Sequence, residues 1–320
     1  MAKTFEQQLY ELLKNHKIDG KIKKQKSLFL ISLMSNKDVL YRGRSAVSWA
    51  YEFCENDIAE ALIEKGGREV SLSFEEFEDL NDALIKAIQK DNLDKVKGLV
   101  EKGADVDCCG PEGCTLELAI KKKRKKVVEL LIEEGADVNR ANFENWTPLM
   151  EACAQSNLEM VEILLDKGAS VNAVDDDNYS SLMLASRGND IKIVEKLIKK
   201  GASVNHKANN KNTALMLASI ADNDDVATLL IDNGAKLDEK NDEGLTALML
   251  AAPYGNYDTV EVLCKRGANP FIKDINGYTA YTWAKKARMK NTANLIKEYE
   301  NEYLERKNMQ KTQKNICREI

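Results

Sequence analysis

Residues 142–172 read NFENWTPLMEACAQSNLEMVEILLDKGASVN, and most of the chain can be laid on the same frame. Thr147-Pro148 is a helix start: a Thr side chain can cap free backbone N–H groups, and Pro suits the first helical position. Thr213, Thr246 and Thr279 hold the same slot with Ala after them, and Ser180 or Ser181 holds it in the unit between. The residues that follow give one apolar helix face, as in Leu215, Leu217 and Ala218. A polar break, Asp222-Asn223-Asp224, separates this helix from a second that runs from Val226 to Ile231. Gly234 ends the second helix, because a helix commonly terminates on a residue of positive φ, which Gly adopts cheaply.

Moving outward, Gly-Ala recurs at Gly103, Gly135, Gly168, Gly201, Gly234 and Gly267, at spacings of 32, 33, 33, 33 and 33. An apolar pair precedes each, such as Leu131-Ile132 or Leu164-Leu165. Further upstream, Gly66-Gly67 fits the frame with an insertion of about four residues before Gly103. Each unit therefore predicts two short helices and an extended turn. One such unit cannot bury its apolar face alone, so units must stack. The expected fold is an all-α solenoid of paired antiparallel helices.

The pattern T-P-L-x-x-A…V-x-x-L-L-x-x-G-A-x-V-N resembles the ankyrin repeat family, over about 260 residues from near 40 to near 300. The resemblance implies about seven to eight repeats and a protein-binding role through the concave face. Departures are visible. Where the family carries His after the Leu, this chain has Met150, Met183, Met216 and Met249, which favours apolar packing over a hydrogen-bonded tie. The turn glycine is replaced by Asn145, Asn178 and Lys211. Lys211 is expected to be strained there or to fold differently. The second unit is one residue short around Gly113-Cys114-Thr115.

The expected organisation is a helical cap or arm over residues 1–40, the array over 41–300 with an insertion near 68–80, and a helical extension with a frayed tail over 301–320. Residues 1–44 hold 10 Lys/Arg against 4 Asp/Glu and read as a cap on the solenoid or as a separate arm. Residues 68–80, REVSLSFEEFEDL, read as an elongated turn that packs Phe74 and Phe77, or as a partner-contact loop.

Across 320 residues there are 47 Lys/Arg and 52 Asp/Glu, a net charge of −5, which disfavours a nucleic-acid partner. No apolar stretch is long enough to cross a bilayer, and the N-terminal residues lack the pattern of a secretory leader. With only His16 and His206, chemistry built on several histidines is nearly excluded. The 7 cysteines form no regular framework and read as reduced thiols in a cytoplasmic setting. No phosphate loop, nucleophile elbow or Cys/His pair is present in a plausible frame, so no enzyme, cofactor or metal is expected.

Candidate partner contacts come first from the residue before each cap: Trp146, Tyr179, Asn212, Leu245 and Tyr278. The family resemblance implies that these lie along the concave edge, with Phe143 and Tyr254 at other variable positions. Trp and Tyr dominate interface hot spots, although aromatics are also common at this slot as architecture. Acids form the second group. Residues 135–280 hold 22 acids against 14 bases, with clusters at Asp175-Asp176-Asp177, Asp222, Asp224-Asp225 and Asp242-Glu243. If Asp176, Asp177, Asp242 and Glu243 line one edge, they favour a partner with a basic surface; otherwise they are solvated surface. The run KKKRKK, from Lys121 to Lys126, reads as a solvated face or as a nuclear-import signal. The resemblance also marks Asn139, Asn172 and Asn205 as the kind of residue asparaginyl hydroxylases modify in such arrays.

The functional expectation is a non-enzymatic protein–protein interaction module or scaffold. A bacterial effector acting on a host protein and a stoichiometric inhibitor of an enzyme are the alternatives.

Overall fold

The computed structural model describes residues 40–41, 44–45 and 74–316, with side chains from 80 to 309. The early unit expected between Ser45 and Gly67, the cap over residues 1–39 and the start of the insertion therefore lie outside the described residues. A short ladder pairs β1 (Leu40–Tyr41) with β2 (Arg44–Ser45). Seven helix pairs follow among the described residues. They are α1 (Phe74–Gln89) with α2 (Leu93–Glu101), α3 (Thr115–Lys121) with α4 (Lys125–Glu133), and α5 (Pro148–Ala154) with α6 (Leu158–Asp166). Then come α7 (Ser181–Gly188) with α8 (Ile191–Lys199), α9 (Ala214–Ile220) with α10 (Asp224–Asp232), and α11 (Ala247–Ala251) with α12 (Tyr257–Lys265). The last pair is α13 (Ala280–Lys286) with α14 (Lys290–Ile316). The chain divides into two compact units at Asp137 and Val138.

In the first unit, α1 packs on α2 and α3, and α2 packs on α4. Residues 74–80, expected as part of a turn, are helical. Leu80, Leu84 and Ile88 recur at helical spacing, and the buried Leu84 and Ile88 give that helix its reason to form. The short turn before α3 becomes a hairpin, β3 (Cys109–Gly110) with β4 (Gly113–Cys114), closed through Pro111 and Glu112. Its register sets Cys109 opposite Cys114, and the two are joined in a disulfide. That corrects the reading of all cysteines as reduced thiols: sequence spacing hid the pairing, which cross-strand register creates. Cys153 and Cys264 are buried thiols outside any disulfide, and Cys108 is buried with its thiol donating to the Asn81 carbonyl. At Gly110 an added Cβ would stand 2.7 Å from Ile85 Cδ1, so the end of that side chain would have to move aside.

In the second unit the first helices α5, α7, α9, α11 and α13 pack side by side, and α6, α8, α10, α12 and α14 form a second layer. The caps are those expected. Thr147, Ser180, Thr213, Thr246 and Thr279 each accept a hydrogen bond from the backbone N–H three residues on. Met150, Met183, Met216 and Met249 are at most 2% exposed, so apolar packing does replace a polar tie at that position. Lys211 occupies the left-handed region at φ 61°, as Asn145 and Asn178 do. It therefore keeps the turn geometry and carries the strain that Gly244, at φ 73° in the next turn, avoids.

Polar side chains tie one repeat to the next. Asn139, Asn172 and Asn205 each donate from Nδ2 to the carbonyl of Gly168, Gly201 or Gly234, 29 residues on. Their Oδ1 atoms accept from Ser170, Ser203 and Lys236 N–H at 2.7–2.9 Å. Asn223 Nδ2 donates to the Ser186 and Arg187 carbonyls at the end of α7, and Asn256 does the same for Ser219 and Ile220 at the end of α9. Helix α14 continues to Ile316, well past the length of the other second helices; Tyr299 Oη donates to the Ala268 carbonyl and anchors its start.

Candidate functional site

The turn before four of the first helices is set by the residue five before the cap; in the repeat capped by Thr213 that residue is Ala208, and Asn210 accepts from Asn212 N–H instead. Asn142 Oδ1 accepts from Glu144 and Trp146 N–H, Asp175 from Tyr179, Asn241 from Glu243 and Leu245, and Asp274 from Asn276 and Tyr278, all at 2.7–3.0 Å. Asp175 thus belongs to the turn and not to an acidic contact surface. The tips then pair with one another through backbone bonds: Asp176 N–H to Glu144 O, Asn209 to Asp177, Asp242 to Asn210 and Ile275 to Glu243. This ladder joins the tips that carry Asp176, Asp177, Asp242 and Glu243, with Phe143 next to Glu144 at its start. The remaining acids do not join them. Asp222 accepts from Thr259 Oγ1, and Asp224 and Asp225 open α10, so they lie at the other end of the first helices, near the second layer.

Beside the tips runs a surface made of the residue before each cap and the residue four after it. Contacts at both ends of the unit establish that these positions face each other. Trp146 Nε1 donates to Glu151 Oε2 at 3.0 Å, and Gln155 Nε2 donates to Glu151 Oε1 at 2.6 Å. Tyr278 meets Trp283 edge to face with centroids 5.8 Å apart, Lys286 lies over the Tyr278 ring, and Trp283 Nε1 donates to Asp274 Oδ2. In the three repeats between, the second position is Leu184, Leu217 and Leu250, of which Leu184 and Leu250 are half-buried and Leu217 is 8% exposed.

The candidate aromatics separate into two kinds. Trp146, Tyr179 and Tyr278 are half-buried, and Trp146 and Tyr278 are engaged within their own repeats. Phe143 is 89% exposed and Tyr254 63% exposed. Tyr254 lies in the 3₁₀ turn of residues 252–254 that follows α11 and runs into Gly255 at φ 78°, at a slot eight after the cap that is also exposed at Gly188 and Ala221 in the two preceding repeats. Sequence reasoning missed Ile275, 72% exposed at the tip slot that Phe143 holds in its repeat. Aligning the repeats on the Thr cap would have found it.

The charged candidates differ in their partners. Asp242 pairs with Lys211 at 2.6 Å, and Asp176 accepts from Asn145 Nδ2 at 2.6 Å. The carboxylates of Glu144, Asp177 and Glu243 are exposed and make no ion pair or side-chain hydrogen bond among the described residues. The run from Lys121 to Lys126 spans the end of α3 and the start of α4; within it Lys122 pairs with Glu112 and Arg124 with Asp91. His206 sits in a turn and donates from Nε2 to the Asn178 carbonyl at 2.9 Å. Glu239 is held below the ordinary carboxylate range by the Lys207 ammonium at 2.5 Å, helped by Lys236.

The repeat frame, the caps and the two helix layers agree with comparison to known proteins. The family described as "Ankyrin repeats (3 copies)" matches at residues 56–142, 84–175, 116–208, 182–274 and 237–309. The chain belongs to the ankyrin repeat family. Over 75 residues it is 40% identical to the 2-5A-dependent ribonuclease of Mus musculus, and over 82 residues 34% identical to that of Homo sapiens. Those stretches are 23% and 25% of this chain but only 10% and 11% of the ribonucleases. Over 75 residues it is 31% identical to the putative ankyrin repeat protein YahD of Escherichia coli (strain K12), covering 37% of that protein. Ankyrin repeats are generally protein–protein interaction modules, and no described helix of this ankyrin protein is long and apolar enough to cross a membrane.

Proposed function

We propose that this ankyrin array is a non-enzymatic binding module that holds a protein partner through the concave face of its second unit, with a basic surface on that partner facing the tip acids. The observation that carries this reading is Tyr254, 63% exposed one turn after the half-buried Leu250. A large aromatic left in water next to an apolar floor gains most by being covered. Phe143 at the tip edge supports the same surface, with Trp146, Tyr179 and Tyr278 forming its half-buried floor and the acids Asp176, Asp177, Asp242 and Glu243 its rim. Inter-repeat hydrogen bonds hold neighbouring repeats of the second unit together, so little ordering is required on binding.

The test is affinity capture from native lysate with wild type beside a Phe143→Ala/Tyr254→Ala variant. Both residues are exposed, so the variant is expected to keep its circular dichroism spectrum and unfolding midpoint. A protein retained by wild type and lost by the folded variant supports the reading. Equal capture by both refutes it.

A further inference from the structure

The face formed by residues 143–286 has two properties that together restrict what can lie on it. From α7 onward its floor is apolar: Leu184, Leu250 and Trp283 are half-buried and Leu217 is buried between them, one residue from each successive first helix, while Glu151 holds the equivalent place on α5. Its tip edge carries three exposed carboxylates, Glu144, Asp177 and Glu243, without ion pairs among the described residues. Resting on the concave-face reading above, we infer that the occupant is an amphipathic α-helix whose apolar stripe lies along that floor and whose tip-facing flank carries Lys or Arg.

Spacing is the first argument. Packed helices stand about 8–10 Å apart, so the floor presents one apolar residue at about that interval. A heptad on an α-helix advances about 10.5 Å and returns a side chain to the same face. An extended strand returns to the same face about every 6.8 Å and drifts out of step with the repeats.

Backbone chemistry is the second argument. A bound strand needs donors and acceptors from its host. The tip N–H groups of Asp176, Asn209, Asp242 and Ile275 are already given to neighbouring tips. A polyproline helix repeats every ~9.3 Å and would suit the spacing, but it has no internal hydrogen bonds, so carbonyls that lose their water against the floor need donors from the host. The indole N–H groups that could supply them are committed, Trp146 to Glu151 and Trp283 to Asp274. An α-helix satisfies its own backbone and asks the groove only for apolar area and charge. The charge on offer is negative at the tips, which selects a basic flank.

The test uses the full chain and labelled 24-residue peptides followed by fluorescence anisotropy. One peptide has leucine along one helical face and lysine along one flank. A second replaces those lysines by glutamate. A third scrambles the first, and a fourth is proline-rich with leucine at every third residue. The lysine peptide is expected to bind at least tenfold more tightly than the glutamate and scrambled peptides. Tyr254→Ala is expected to weaken it about tenfold, and Asp177→Lys/Glu243→Lys to reverse the order of the lysine and glutamate peptides. All three side chains are exposed, so the variants are expected to fold. Equal binding of the scrambled peptide, tighter binding of the proline-rich peptide, or no binding of any of them overturns the inference. If these peptides fail while protein capture still depends on Phe143 and Tyr254, the helix is wrong and the concave-face reading stands. If capture is also independent of those residues, the reading itself has failed.

Discussion

Asn223 offers a sharp test of how neighbouring ankyrin repeats hold each other. Its side chain is 3% exposed, and Nδ2 is shared between the Ser186 carbonyl at 2.9 Å and the Arg187 carbonyl at 3.2 Å. Those carbonyls belong to the last turn of α7, where a helix has no acceptor partners of its own. Asn223→Ala removes the donor and leaves buried oxygen atoms unsatisfied, an expected loss of about 2–3 kcal/mol. Asn223→Asp keeps the size and reverses the chemistry: a carboxylate would face two carbonyls at the negative end of a helix. The residue also stands at the N-cap of α10, where Asp190 in the same slot of the preceding repeat accepts from two backbone N–H groups, so the charge is partly compensated; against burial and the carbonyls the net cost is still expected to exceed that of Ala. The sign with pH follows. Burial and the carbonyls raise the folded-state pKa of the new carboxyl above its unfolded value of about 4. The Asp variant is then closest to wild type below that value, and its deficit grows as pH rises through the folded pKa. Urea unfolding followed by far-UV circular dichroism, between pH 4 and pH 8, measures both effects. Hydrogen exchange over residues 181–199 and 214–232 shows whether the loss is local to that interface, as a nearest-neighbour solenoid requires. An Asp variant as stable as the Ala variant at every pH would refute the account.

Other expectations rest on single features. Lys211→Gly relieves a left-handed backbone and forfeits only the exposed ion pair with Asp242, so urea unfolding is expected to show a gain of about 0.5–1 kcal/mol. Burial pushes the Cys264 thiol up to about 12 and raises Cys153 as well, so neither is expected to react with iodoacetamide at pH 8 until the array unfolds, as intact-mass spectrometry would show. Glu239, lowered by Lys207, contributes stability that is present above its unfolded pKa of about 4.3 and is lost as pH falls through its folded value. Lys207→Gln is expected to flatten that acid limb between about pH 5 and pH 3 in a pH series of unfolding curves.

The sequence by itself determined the repeat length, the helix pairs, the caps and the apolar faces. All of these are local: Thr147-Pro148 starts a helix and Gly234 ends one whatever lies beside them, and apolar side chains at helical spacing must find cover. It also named Asp176, Asp177, Asp242 and Glu243 as acids that could share an edge, because a 33-residue period carries equivalent residues to equivalent places, but it left solvated surface as the alternative. What period cannot express is how repeats meet. That Asn223 reaches the end of α7, that Trp146 is engaged by Glu151 and Tyr278 by Trp283, and that Asp175 serves its own turn while Asp177 stays unpaired are contacts across space. So is the pairing of Cys109 with Cys114, which follows from the register of a hairpin formed where one residue is missing from the turn. Exposure followed the same rule. Tyr254 is left in water at a slot that is exposed in the two preceding repeats as well, whereas Trp146 is half-buried with its indole N–H given to Glu151. Only the packed array settles which aromatic is scaffold and which remains open, because burial belongs to the neighbours of a residue and not to its type.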